Sequence, residues 1–119
     1  MGVNYYIANT RNRTYIELDK GSWSWIIEYL HEFMDVDTKI EDLDNLLKNS
    51  INLRWKADED DIISYWRNKI RNFLMGESQD NIYLVLDDTW IKCDRSHGFV
   101  EDMDPPFWLY SGDNYTEIK

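Results

Sequence analysis

The stretch VNYYIANTRNRTYIEL, residues 3–18, decides how the chain is read. Its two halves, VNYYIA at 3–8 and RTYIEL at 13–18, are rich in aromatic and β-branched residues, which suit a pleated, half-buried surface. Between them lies Asn9-Thr10-Arg11-Asn12, whose asparagines tolerate turn dihedrals. The pattern predicts an N-terminal β-hairpin. From Ser22 the period changes. Trp23, Ile26, Ile27, Leu30, Phe33 and Met34 recur at i, i+3, i+4, i+7 spacing, which predicts a helix over 22–35 with those side chains on its buried stripe.

Thr38 stands three residues before Glu41, the spacing of a capping box, and Ile40, Leu43, Leu47 and Ile51 form the stripe of a second helix behind it. Residues 51–56, INLRWK, open with an alternation that fits a short strand as well as a helix end. Asp58, Glu59, Asp60 and Asp61 then place four acids where a helix N-terminus carries partial positive charge. Ile62, Trp66, Ile70 and Phe73 supply the buried face of this third helix before Gly76 ends it. The remainder returns to period two: NIYLVL at 81–86, a turn at Asp87-Asp88, TWIKC at 89–93, and FWLY at 107–110 after Pro105-Pro106. Hairpin, helices and then strands argue an α+β fold. Its sheet is mostly antiparallel, built from the N-terminal hairpin and the C-terminal strands, with about three helices packed on one face. No linker interrupts the pattern, so residues 1–119 are expected to form a single globular domain.

Composition agrees with an ordered globule: 119 residues, 43% hydrophobic and 15% aromatic, with five Gly and two Pro. The single cysteine, Cys93, cannot close an internal disulfide, which favours a reducing compartment. The N-terminus lacks a basic segment followed by an apolar run, and no apolar stretch nears the roughly 20 residues that span a bilayer. A cytoplasmic protein with no membrane contact is expected. On that ground the acceptor patterns Asn12-Arg13-Thr14 and Asn114-Tyr115-Thr116 are read as chance.

Metal and catalytic chemistry find little to work with. Cys93 and His97 lie four apart, but tetrahedral zinc needs three or four ligands and the only other histidine is His31. Asp94, Glu101, Asp102 and Asp104 would have to complete the set. A Cys–His nucleophile pair further requires a positioned base and an oxyanion pocket. The pairs Asp35-Val36-Asp37 and Asp87-Asp88 fall where turns are expected, and Asp favours turns for its hydrogen bonds to nearby backbone. Gly21, Gly76, Gly98 and Gly112 are isolated, so no phosphate-binding loop is encoded. The expectation is a protein without metal, cofactor or catalytic residues.

Charge is more informative. The chain holds 23 Asp and Glu against 13 Lys and Arg, a net charge of −10, beside six Trp and eight Tyr. Such a surface repels nucleic acid and anionic membrane and attracts a basic protein, with rings available as anchors. Arg67 and Arg71 share the outer face of helix three with Ser64 and Asn68 and are expected to be balanced by the acids at 58–61, so no basic stripe is left for nucleic acid. Three sets of residues are candidates for partner contact. Trp25 and Tyr29 are an i, i+4 pair opposite the stripe of the first helix, with Glu28 and Glu32 beside them. The second set is Asp58, Glu59, Asp60 and Asp61. The third lies in an acidic, aromatic loop: Glu101, Asp102, Asp104 and Trp108. The function expected is a noncatalytic acidic binding protein that masks a basic partner, as a toxin's immunity protein or a phage-encoded nucleic-acid mimic does. The alternative is a structural or adaptor domain that self-associates, as a homodimer, through surplus aromatic residues. A small Cys/His or carboxylate enzyme is a distant third.

Overall fold

The computed structural model describes residues 3–21, 23–50, 59–86, 89–94, 98–102 and 115–118. Strands β1 (Val3–Asn9) and β2 (Thr14–Gly21) form the expected hairpin, with Ile7 opposite Ile16 and Tyr5 opposite Leu18. Its turn runs one residue later than 9–12. Asn9 remains in β1, fully buried, and its Oδ1 accepts from the Arg11 N–H at 2.9 Å. Arg13 takes the left-handed conformation at φ 56°. The turn is fastened to the chain just before the strand that neighbours β1, since the Thr10 N–H and hydroxyl both donate to the Asn81 carbonyl.

The sequence period predicted one helix over 22–35; the structure has two short pieces. A 3₁₀-helix spans Ser24–Glu28 and α1 spans Leu30–Met34, joined at Tyr29. Two Trp and two β-branched Ile residues lose side-chain freedom in an α-helix, so this segment has little intrinsic preference for continuing as one. Helix α2 (Ile40–Ser50) buries Leu43 and Leu47. Ile40, expected on that stripe, is 57% exposed. The capping box is not formed either: the Thr38 hydroxyl donates to Glu32 Oε2 at 3.4 Å instead. Helix α3 (Glu59–Leu74) ends where Gly76 adopts φ +80°, a conformation that costs glycine little. Its buried seam is Ile63, Trp66, Ile70 and Leu74, while Ile62 and Phe73, expected on the seam, pack at its margins. The alternation at 51–56 and the strand expected at 107–110 fall outside the described residues.

A 3₁₀ turn at Gln79–Asn81, capped by the Ser78 side chain, feeds β3 (Ile82–Leu86), which is followed by β4 (Thr89–Asp94), β5 (Gly98–Asp102) and β6 (Thr116–Glu117). The strand order is β5-β4-β3-β1-β2-β6. All pairings are antiparallel except β2 with β6. The fold is therefore α+β with a mostly antiparallel sheet, as the sequence predicts. β5 and β6 were not anticipated. β6 is two residues long, and the end of β5, Glu101 and Asp102, carries the composition of an acidic loop. On β2, which β6 covers only at Thr14 and Tyr15, the register slips after Leu18, a bulge of the kind that protects an edge from further pairing.

Strand alternation sends Tyr5, Ile7, Ile16, Leu18, Ile82 and Leu84 into the main core beneath the helices. The opposite face is also buried. Ala8, Val85, Trp90 and Tyr115 form a second cluster, with Tyr6, Tyr15 and Tyr83 against it. Edge-to-face pairs tie it together: Trp90 with Tyr83 at 5.4 Å and 72°, and Trp90 with Tyr115 at 6.2 Å and 88°. Burial there pushes the Tyr115 hydroxyl up to about 12. Among the described residues, no helix is long and apolar enough to cross a membrane.

Trp90 tests this two-sided core. It is fully buried on the helix-free face, so Trp90→Ala should lower stability by about 3–5 kcal/mol in urea unfolding. A loss below about 1 kcal/mol, the scale of a surface change, would mean that face is not a core.

Candidate functional site

The helical layer carries most of the described candidate residues. Trp25 and Tyr29 do come together, with ring centroids 6.1 Å apart. They do not stand opposite the buried stripe. A 3₁₀-helix turns ~120° per residue rather than ~100°, which swings Trp25 toward the core. There it stacks on Trp23 at 5.8 Å and 22°, and Trp23 in turn meets Trp66 at 5.0 Å. Trp25 packs against the main core, and its buried Nε1 has no hydrogen-bond partner among the described residues. Packing therefore accounts for Trp25 and for much of Tyr29, which is half-buried.

The acids beside them differ. Glu28 is exposed. Glu32 is half-buried, accepting from Thr38 and lying 3.2 Å from His31 Nε2. On α3, Asp60 and Asp61 are exposed in the first turn, beside Glu59 at the helix start. Glu101 and Asp102 lie on an edge strand rather than a loop, in register with Ile91 and Trp90. Asp58, Asp104, Trp108 and His97 lie outside the described residues; Cys93 is in β4, opposite Phe99. Among the described residues, no three His, Cys, Asp or Glu gather closely enough to hold a metal ion.

The arginines of α3 have a different role from the one expected. Arg67 pairs with Asp44 of α2, its Nη1 donating to both carboxylate oxygens at 2.9 Å and 3.0 Å. Arg71 donates to the Thr38 carbonyl at 2.9 Å and the Val36 carbonyl at 3.2 Å. Both bind α3 to α2 and the turn before it, so neither neutralises the acids at the start of α3.

That turn, which the sequence marks only as a turn and not as a partner contact, is a mainly acidic surface interrupted by the exposed Lys39. Asp35, Asp37, Glu41 and Asp42 are exposed around Val36 and Ile40, which are 60% and 57% exposed. The Asp37 N–H donates to Asp35 Oδ1 at 2.9 Å, so Asp35 is held by a local turn, as its residue type suggested. The chain matches no protein-family model, no curated protein and no solved structure.

The Arg67–Asp44 pair is only 18% and 24% exposed. A double-mutant cycle with Arg67→Ala and Asp44→Ala should give a coupling of about 0.5–1 kcal/mol, decreasing with salt. Coupling indistinguishable from zero would contradict the interhelical pairing.

Proposed function

We propose that the protein is a noncatalytic acidic binding protein that masks a basic protein partner, in the manner of an inhibitor or immunity protein. One observation carries this reading: the arginines of the helical layer are used internally while most of its acids are not. Arg67 is held by Asp44, and Arg71 by two backbone carbonyls. Glu28, Asp35, Asp37, Glu41, Asp42, Asp60 and Asp61 are exposed, and none forms an ion pair among the described residues. In a chain of net charge −10, these acids outnumber the exposed Lys39 and Lys48 and leave a predominantly negative surface that speeds encounter with a basic protein and repels nucleic acid and anionic lipid.

Self-association is the second reading, and it draws less support. The rings it would use are engaged in packing within the chain at Trp23, Trp25, Trp66 and Trp90. Two copies of a −10 chain would also meet with like charges.

The test is capture from a lysate of the native host on immobilised protein. A basic protein should be retained at roughly 0.1 M salt and released as exposed charges are screened. Asp60→Asn with Asp61→Asn, and separately Asp102→Asn with Asp104→Asn, should identify the contacting set by a slower association rate at unchanged folding. A partner that is neutral or acidic, and whose association ignores salt and all four substitutions, would refute the reading. A dimer mass in solution with no such partner would favour self-association.

A further inference from the structure

A cavity of about 360 Å³ opens where α3 crosses the end of the N-terminal hairpin. It lies near the lower end of ligand-site volumes, roughly 300–1,000 Å³. Its floor is apolar, formed by Ile16 of β2, Phe73 of α3 and Ile118 beyond β6. Lys69, Asn72 and Asn12 line it as well.

The polar groups around that floor are unevenly balanced. Glu77 also lines the cavity, but Arg11 occupies both of its oxygens: Nε donates to Oε2 at 2.9 Å, and Nη2 donates to Oε1. This pairing holds the Glu77 carboxyl below its usual range. The Thr14 hydroxyl donates to Asn12 Oδ1, which leaves the Asn12 amide N–H₂ as that residue's free group. Lys69 has no carboxylate partner among the described residues. Its ammonium lies 5.5 Å from the Tyr65 ring centre and 5.3 Å from that of Trp66, and it spends one donor on the Tyr65 hydroxyl at 3.3 Å. What remains is a lining with spare donors and one positive charge without a carboxylate partner among the described residues, beside the apolar side chains.

We propose that this cavity binds a small monocarboxylate with an apolar body, its carboxylate at Lys69 and the amides of Asn12 and Asn72, and its body against Ile16, Phe73 and Ile118. A cationic ligand would meet the Lys69 ammonium and find Glu77 already paired. A neutral ligand would gain the floor but leave the donors unmatched. The site is separate from the acidic surface of the helical layer, and either proposal can fail without the other.

Three probes with the same apolar chain separate the terms: hexanoate, hexanol and hexylamine, titrated into the folded protein while backbone amide resonances are followed. Hexanoate should shift Thr14, Ile16, Phe73 and Ile118 together, with an affinity about tenfold above that of hexylamine and with hexanol between them. Lys69→Met should remove the preference for hexanoate over hexanol while amide resonances away from the cavity keep their positions, because Lys69 is only half-buried and Met retains the apolar stem. Ile118→Asn, at an exposed position outside the strands, should weaken hexanoate and hexanol alike. The proposal is overturned if hexylamine binds as well as hexanoate, if the shifts lie away from these residues, or if Lys69→Met leaves the carboxylate preference intact.

Discussion

The structure depends on the position of β1, which pairs with β2 on one side and β3 on the other while both of its faces are buried. A strand placed so has no solvated side, and its alternation sorts side chains between two interiors. Tyr5 and Ile7 go beneath the helices; Tyr6 and Ala8 go to the aromatic cluster. Even Asn9, at the end of the strand, is fully buried and serves the turn through its Oδ1. The two hairpins are independent local structures in the sequence, and β1 joins them. Its pairing with β3 spans the whole helical segment, and the helices then cover the face on which Ile7 meets Ile16 and Leu84.

This arrangement determines what remains for function. The rings that the composition offers as anchors are largely consumed: Trp23, Trp25 and Trp66 form a contiguous group under the helices, and Trp90 with its tyrosines covers the other face. The acids cannot be consumed in the same way, because a carboxylate without a partner is costly to bury. Packing the rings inward and fixing the arginines between helices leaves an outer surface of unpaired negative charge, from Glu28 through Asp35–Asp42 to Asp60 and Asp61. Lys69 beside the cavity, like the exposed Lys39 and Lys48, is a positive point within a mainly negative field.

Much of this architecture was legible in the sequence. Residues 3–18 and 81–93 are strongly periodic and gave two hairpins whose strands match to within a few residues at their ends, and Gly76 marked the end of α3. The errors have physical causes. A 3.6-residue period puts Trp25 opposite the buried stripe, but Ser24–Glu28 turns more tightly and brings it against the core. Ile40 fits the stripe of α2, but periodicity does not reveal whether a neighbour reaches the first turn. Arg67 was matched to acids on its own helix because a sequence displays i, i+4 neighbours and conceals Asp44 on the next helix. The cavity was not foreseen, since it joins residues 12, 16, 69, 73 and 118, which no local spacing relates.

The most direct test of the account is native-state hydrogen exchange. If β1 is the central strand of a sheet buried on both faces, the amides of Tyr5 to Ala8 should exchange only through global unfolding, with protection equal to the stability measured in urea. The amides of Thr116 and Ile118, on the short edge strand and just beyond it, should exchange through smaller openings. Exchange of the β1 amides as fast as that of Thr116 and Ile118 would contradict the central position of β1, and with it the division of rings to the inside and acids to the outside.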